Sequence, residues 1–147
     1  MEYEIRECQN KEELDQLFAL RKEVFVLEQG IPEHLDQDGL DENSKHVIVL
    51  TKQKEIVAGG RLSPQHELAL GVLSRIVVKR AFRGKGLGPK IIRLLEALAI
   101  ELSLREVQLK PHAHLEKFYH ELGYQLLSID KTQVGEHPLL LMSKELP

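Results

Sequence analysis

Apolar positions in the first part of the chain follow two periods, one typical of a strand and the other of a helix. Tyr3–Cys8 alternates weakly and predicts a short strand. Apolar side chains then recur at helical spacing, at Leu14, Leu17, Phe18, Val24 and Phe25. This recurrence predicts a helix that runs to about Glu28. Asn10 and Glu13 have the spacing of a capping box, so the helix is predicted to begin after Asn10.

Three further apolar runs predict strands of a sheet. His46–Thr51 and Ile56–Leu62 flank a polar tetrapeptide, which indicates a hairpin. Leu68–Lys79 is longer and ends in three β-branched residues, Ile76, Val77 and Val78. Such a triplet is typical of a strand that is buried on both faces.

A glycine-rich loop and an amphipathic helix follow the third run. The loop consists of Arg83, Gly84, Lys85, Gly86, Leu87 and Gly88. Pro89 comes next and is predicted to be the first helical residue, a position that proline favours. The buried stripe of this helix is predicted to consist of Ile91, Ile92, Leu94, Leu95, Leu98 and Leu102.

The rest of the chain predicts a strand, a short helix and a closing hairpin. These are Glu106–Lys110, then His114–Leu122 ending at Gly123, and Tyr124–Thr132 paired with Pro138–Lys144 around Gly135. The complete order predicts an α+β (mixed α/β) fold, with a largely antiparallel sheet and one parallel crossover at its centre. Because no linker or repeat divides the chain, a single domain over residues 1–147 is expected.

Composition narrows the classes of function. With 147 residues, 42% of them hydrophobic and 29% charged, the chain suits an ordinary globular domain. A formal net charge of -3 gives no reason to expect nucleic acid or an anionic membrane as partner. No apolar run reaches membrane-spanning length and no signal peptide is legible, so the cytoplasm is the expected compartment. The single cysteine, Cys8, excludes an internal disulfide and carries no sign of a nucleophile.

The glycine-rich loop has the features of a phosphate site. Small residues at 84, 86 and 88 let a ligand approach the main chain, whose amides would point at it. The start of the following helix contributes partial positive charge, and Arg83 and Lys85 add two formal charges. A pyrophosphate is the ligand that suits this combination. The alternative is a flexible turn with a solvated pair of cations.

Two common nucleotide motifs do not fit the loop. A Walker loop needs Lys followed by Ser or Thr after its last glycine, where Pro89-Lys90-Ile91 stand. A dinucleotide fingerprint needs glycine at the sixth position, which Pro89 occupies, and it usually opens a fold. The charge of the loop excludes neither a nucleoside triphosphate nor a dinucleotide. The surrounding sequence therefore has to distinguish the possible ligands.

Three segments together resemble one known family. The loop from Arg83 to Gly88 matches the Arg/Gln-x-x-Gly-x-Gly/Ala signature of the GNAT superfamily of N-acetyltransferases. Phe118–Tyr124 is similar to the second motif of that superfamily. Leu20–Gln29, with Asp38-Gly39 and His46 downstream, resembles the ElaA-like subgroup. The resemblance spans nearly the whole chain and implies a mostly antiparallel mixed sheet, splayed between two central parallel strands and flanked by helices.

The resemblance implies acetyl-CoA as the donor, held between two splayed strands at 73–79 and 106–110. Its pantetheine would bond to the main chain of Ile76 and Val78 as an added strand would. An amide near Val77 or Val78 would polarise the thioester carbonyl. The loop and the helix start would hold the diphosphate, through Arg83, Gly84, Lys85, Gly86, Leu87, Gly88 and Pro89. Many members contact the cofactor through Asn seven residues before the catalytic tyrosine, and His112 takes that place here.

The resemblance also implies direct transfer of acetyl to a primary amine, with Tyr119 as general acid for the departing thiolate. A lysine-like amine with a pKa of about 10.4 needs a strong base at neutral pH, whereas an α-amine near 7.7 barely needs one. Glu28 and His114 are the candidate bases, and a solvated helix end and a helix cap are their structural alternatives. The acceptor is a small-molecule or peptide amine of unidentified structure. A homodimer is the commonest homo-oligomer and so the form to test.

A non-catalytic acyl-CoA-binding sensor on the same fold is the alternative function. Retention of the Tyr119 hydroxyl favours the enzyme. A metal site is not expected, because His112-Ala113-His114 lacks a nearby third ligand. Asp36–Asp41 is similar to a calcium loop, but its glycine comes too early and no glutamate closes it. Solvated carboxylates in a turn are expected there instead.

Overall fold

The computed structural model of the protein describes residues 2–134 and 137–147, with the side chains of 130–137 excepted. The predicted turn residue Gly135 therefore lies outside the described residues. The strands are β1 (Glu4–Glu7), β2 (Lys45–Leu50), β3 (Ile56–Gln65), β4 (Leu70–Val78), β5 (Glu106–Leu109), β6 (Gln125–Val134) and β7 (His137–Glu145). The α-helices are α1 (Lys11–Arg21), α2 (Glu33–Asp36), α3 (Leu87–Glu101) and α4 (Glu116–Glu121), and a π-helix spans Lys22–Glu28.

One seven-stranded sheet runs through the molecule in the order β1-β2-β3-β4-β5-β7-β6. The pair β4–β5 is parallel, and the other neighbours in the sheet are antiparallel. The chain passes from β4 to β5 through α3, the crossover that a parallel pair requires. The predicted mixed fold, with one parallel crossover at its centre, is confirmed.

Two consecutive glycines in β3 let helices approach the sheet closely from both faces. A Cβ built on Gly59 would lie 2.6 Å from Leu17 Cδ1 of α1 and 2.6 Å from the carbonyl oxygen of Val47. A Cβ on Gly60 would lie 2.8 Å from Ile91 Cγ2 of α3. Because neighbouring residues of a strand face opposite sides, α1 and α3 cover opposite faces of the sheet. None of the helices in the described ranges has the length and apolarity that a bilayer crossing requires.

The first helix reaches Glu28 as predicted, but it changes type on the way. It is α-helical to Arg21 and π-helical from Lys22, as the bond from Gln29 N to the Val24 carbonyl (3.0 Å) illustrates. At its start, Asn10 Oδ1 accepts from Glu13 N at 2.9 Å. The Glu13 carboxylate accepts from Gln9 N rather than from Asn10 N, so the predicted capping box is displaced by one residue.

The helix after the glycine loop begins earlier than predicted. α3 starts at Leu87, with Gly86 as its N-cap, so Pro89 is the third helical residue and not the first. The first four amides of a helix have no partner within it, so a proline is tolerated at that position too.

Candidate active site

The sheet opens between its two parallel strands. Their pairing covers three residue pairs, Leu70–Val72 with Glu106–Gln108. On its other side β4 stays paired with β3 as far as Val78. The β4 main chain beyond Val72 therefore borders a gap on the β5 side.

The register of β3 and β4 shows which main-chain groups face this gap. Lys79 N donates to the Val57 carbonyl at 2.8 Å, while Val78 stands opposite Ala58. In an antiparallel pair this pattern turns the amide and carbonyl of Val78 away from β3, and those of Val77 towards it. Ile76, two residues before Val78, lies on the same edge as Val78. Of the two amides expected to polarise a carbonyl, that of Val78 faces the gap and that of Val77 does not.

A bulge in β4 accompanies the opening. The register with β3 shifts between Gly59 and Arg61, and Arg75 opposite this shift has a φ of +56°. A left-handed conformation costs a non-glycine residue about 1–2 kcal/mol. Bonds from the Arg75 guanidinium to the carbonyls of Leu35 and Asp36, both 3.1 Å, hold the side chain in place. A bulge bends its strand and re-aims a side chain, here towards the gap.

A cavity of about 350 Å³ lies in the gap, and we call it the strand cavity. Its walls are largely apolar and include Phe25, Ile31, Leu35, Leu73, Ile76, Leu109 and Leu115. The polar residues of its lining are Gln29, Asp36, Ser74, Arg75, Lys110, His112 and Tyr119. An apolar chamber with a few polar groups is the usual form of a small-molecule site.

Tyr119 lies on α4 and lines the strand cavity. The residue is 8% exposed, and burial raises the pKa of its hydroxyl to about 12. Its ring meets that of Tyr124 edge-on, with centroids 5.9 Å apart, and the Tyr119 carbonyl accepts from Tyr124 N at 3.0 Å. The hydroxyl is therefore protonated at neutral pH, the form that a proton donor needs.

A second cavity of about 430 Å³ lies over the glycine-rich loop, and we call it the loop cavity. Its lining includes Val78, Phe82, Arg83, Gly84, Gly86, Leu87, Gly88, Pro89 and Phe118. Lys85, also predicted to bind phosphate, is exposed and is not part of this lining. Gly84 and Gly86 have φ of +77° and +76°, and a Cβ on either would meet no atom within 4 Å. Open space beside bare main chain, next to the start of a 15-residue helix, fits a diphosphate.

Arg83 at the rim of the loop cavity is held by Glu28. Its terminal nitrogens donate to the two carboxylate oxygens of Glu28 at 2.6 and 3.0 Å, and its Nε donates to the Val78 carbonyl at 3.0 Å. The bonds from Arg83 lower the pKa of Glu28. A carboxylate with a lowered pKa is a weaker base, so this contact argues against Glu28 as the base.

The two histidines of the 112–114 segment occupy different positions. His112 lines the strand cavity, whereas His114 is exposed and does not. The rings stack, with centroids 5.9 Å apart and planes 18° apart. Of the two residues, His112 is the one that can reach a molecule in the strand cavity.

The acidic turn behind the strand cavity is paired with buried arginines, so the expectation of solvated carboxylates was wrong. Arg21 is 1% and Arg61 2% exposed. Arg21 bonds to Asp36 at 3.1 Å and to Asp41 at 2.9 Å, and Arg61 bonds to Asp38 at 2.6 Å and to Asp41 at 2.9 Å. Bonds from Arg61 keep the pKa of Asp38 well below its usual value. Two arginines inside otherwise apolar segments, at 21 and 61, were the sequence signal for this cluster.

Comparison with known proteins agrees with this geometry. The profile of a family described as an acetyltransferase (GNAT) domain matches residues 6–146. The UPF0039 protein sll0451 of Synechocystis is 40% identical over 85% of this chain and 77% of its own length. The uncharacterized N-acetyltransferase YjcF of Bacillus subtilis is 32% identical over 94% and 96%. The crystal structure of Escherichia coli ElaA superposes with a TM-score of 0.83 at 27% identity, over 98% of this chain and 99% of that one.

Proposed function

Because this chain belongs to the GNAT acetyltransferase family, we propose that it transfers an acetyl group from acetyl-CoA to a primary amine. One observation carries the proposal: a single open main-chain edge joins the two cavities. Ile76 on that edge lines the strand cavity, and Val78 lines the loop cavity. A long thin donor that carries a diphosphate at one end and a thioester at the other matches this arrangement.

The glycine-rich loop is the proposed diphosphate site. The amides at the start of α3 and the Arg83 guanidinium supply donors and positive charge. The main chain of Ile76 and the amide of Val78 would bond to the pantetheine arm in the manner of an added strand, since the Val78 carbonyl already accepts from Arg83 Nε. The thioester would then lie in the strand cavity, which Ile76 lines and Val78 does not, so the Val78 amide would bond to the pantetheine arm rather than to the thioester carbonyl.

Tyr119 is the proposed donor to the leaving sulfur. The amine nitrogen attacks the thioester carbon, the C–S bond breaks, and the thiolate is protonated while the nitrogen loses a proton. A phenol with a pKa near 12 is a weaker acid than a thiol, whose pKa is about 8.5. Tyr119 would therefore act chiefly by hydrogen-bonding to the developing thiolate, and any proton it gives would be restored from the amine.

The candidate bases differ in what surrounds them. Glu28 is bound by Arg83, and His114 lies outside the strand cavity. His112, which lines the cavity, replaces them as the proposed base, acting directly or through water. An acceptor with the pKa of an α-amine, about 7.7, would need little help from it, since each pKa unit costs only about 1.4 kcal/mol.

Release of free thiol from acetyl-CoA, measured with a panel of amines, tests the activity. We expect Tyr119→Phe to lower kcat by about 100-fold, because it removes the hydrogen bond to the leaving sulfur. The affinity for CoA, measured by calorimetry, should stay within about twofold, since the loop cavity is unchanged.

Tyr3→Phe is a suitable control, because Tyr3 lines neither cavity and the change keeps the ring that packs edge-on against Phe82 of the loop cavity. An unchanged kcat in Tyr119→Phe would exclude its role. Tight CoA binding with no turnover of any amine would favour the acyl-CoA sensor instead.

A further inference from the structure

The ion pair between Glu28 and Arg83 joins the π-helix to the glycine-rich loop. Glu28 is the last residue of the π-helix, and Arg83 lies 55 positions further along, at the start of the glycine-rich loop. Both terminal nitrogens of Arg83 are engaged, one with each carboxylate oxygen. Neither side chain is buried, so both remain accessible to a ligand in the loop cavity.

A diphosphate and Glu28 require the same guanidinium. The Arg83 Nε is already bound to the Val78 carbonyl, so a ligand has only the terminal nitrogens to approach. The Glu28 carboxylate lies against those nitrogens, at 2.6 and 3.0 Å. Two anions that share one cation repel each other, and the repulsion is larger where little water separates them. Glu28 therefore opposes the binding of an anion at Arg83.

Glu28, the anion of this ion pair, adjoins residues that line the strand cavity. The π-helix contains Phe25 and is followed by Gln29 and Ile31, and all three line that cavity. The bonds from Gln29 N to Val24 and from Ile31 N to Phe25, at 3.0 and 2.9 Å, fix this unusual backbone. π-helical turns are rare and occur frequently at functional sites. Glu28 therefore lies in the same segment as three residues of the cavity wall.

We infer that Glu28 competes with the donor's diphosphate for Arg83, and that this exchange couples donor binding to the wall of the strand cavity. The inference rests on the proposed function, because it takes the loop cavity as the diphosphate site. Glu28 is then a positioning residue. It holds Arg83 and the segment 22–31 together until the donor takes the guanidinium, so the cavity wall responds to the donor before the acceptor binds.

The Glu28→Gln variant tests the competition. CoA affinity, measured by calorimetry, should rise at least fivefold, because the amide removes the repelling charge. S-acetylpantetheine, which has no diphosphate, should bind the variant and the wild type equally. Glu33→Gln is the matched control: Glu33 is exposed and pairs with Lys22 at 3.8 Å, away from Arg83, so CoA affinity should not change.

Hydrogen exchange tests the coupling without any turnover. CoA should alter amide exchange in residues 22–31 of the wild type, and this response should shrink in Glu28→Gln. Equal or weaker CoA affinity in the variant would overturn the inference, as would a lower kcat at unchanged affinity, the result expected of a general base. If the wild type bound no CoA at all, the proposed function would fail instead.

Discussion

Gly86 and Gly39 place the main chain in the same left-handed region, with φ of +76° and +81°. Neither has an atom within 4 Å of a built Cβ, so alanine would meet no clash at either position. The backbone strain of alanine should be similar, about 1 kcal/mol. The two glycines differ in surroundings, because Gly86 lines the loop cavity and Gly39 does not.

This difference gives a matched pair of variants. We expect Gly86→Ala and Gly39→Ala to lose similar stability, about 1 kcal/mol each in chemical denaturation. Gly86→Ala alone should weaken CoA binding, by about tenfold or more, because its methyl group enters the space that a diphosphate would need. Equal CoA affinity in the two variants would refute the assignment of the loop.

At the level of elements, a buried polar network fixes α4 and hence Tyr119. The fully buried Tyr124 donates its hydroxyl to Glu96 of α3 at 2.6 Å. Lys144 of β7 donates to the same carboxylate at 3.0 Å and to the Leu122 carbonyl at 3.0 Å. The network therefore links the helix that starts at the glycine loop, the end of α4 and the last strand.

Tyr124→Phe should destabilise the protein by about 1.5–3 kcal/mol, because it removes a hydrogen bond to a buried charged group. Tyr3→Phe makes the same chemical change where the hydroxyl is buried without a hydrogen-bond partner, so it should be neutral or slightly stabilising. Urea denaturation of the two variants measures the difference. Equal effects would show that the bond to Glu96 contributes nothing.

The elements were predictable because each depends on local pattern. The β-branched triplet at 76–78 and the apolar stripe of α3 identify their elements without reference to any partner. The π-helical part of the first helix was not predictable, because its apolar spacing is still that of an α-helix. The change from α- to π-helix appears only in the main-chain hydrogen bonds. The start of α3 was misplaced because Pro89 is equally tolerated at several positions of a first turn.

The sequence predicted only those parts of the candidate site that are continuous in sequence. The glycine loop and the position of Tyr119 follow from short motifs, and the structure brings both to the open edge of β4. The pairing of Arg83 with Glu28 joins residues 55 positions apart. No local propensity encodes such a contact, because it depends on how the π-helix packs against the loop that follows β4. The ion pairs of the arginine–aspartate cluster were not predicted for the same reason, because they also join residues distant in sequence.

At the scale of the whole molecule, this cluster ties the acidic turn to the sheet and makes stability depend on pH. Arg61 donates to Asp38 and Asp41, and these bonds keep the pKa of Asp38 depressed. A group with a depressed folded pKa stabilises the protein above its unfolded pKa, about 3.9 for Asp, and loses that contribution as the pH falls.

We therefore expect Asp38→Asn to cost about 2 kcal/mol at pH 7, and this difference from the wild type to shrink as the pH is lowered from about 5 to about 2. Urea denaturation at several pH values measures it. Glu7→Gln serves as the control, since Glu7 forms an exposed pair with Lys45 at 3.6 Å and should show almost no dependence. A difference that stays constant with pH would contradict the linkage.

The gap beside β4 also bears on self-association. Unsatisfied main-chain groups at the rim of a sheet invite the strand of another molecule to pair with them. In this protein the free stretch of β4 lies in the interior of the sheet, with the Leu70–Val72 pairs closing one end and β5 beyond them. A strand from another molecule would have to enter from the open end of the gap, so this edge is less exposed to such pairing than a strand at the rim would be. The fold thus leaves part of β4 unpaired with β5 without placing that edge at the rim of the sheet.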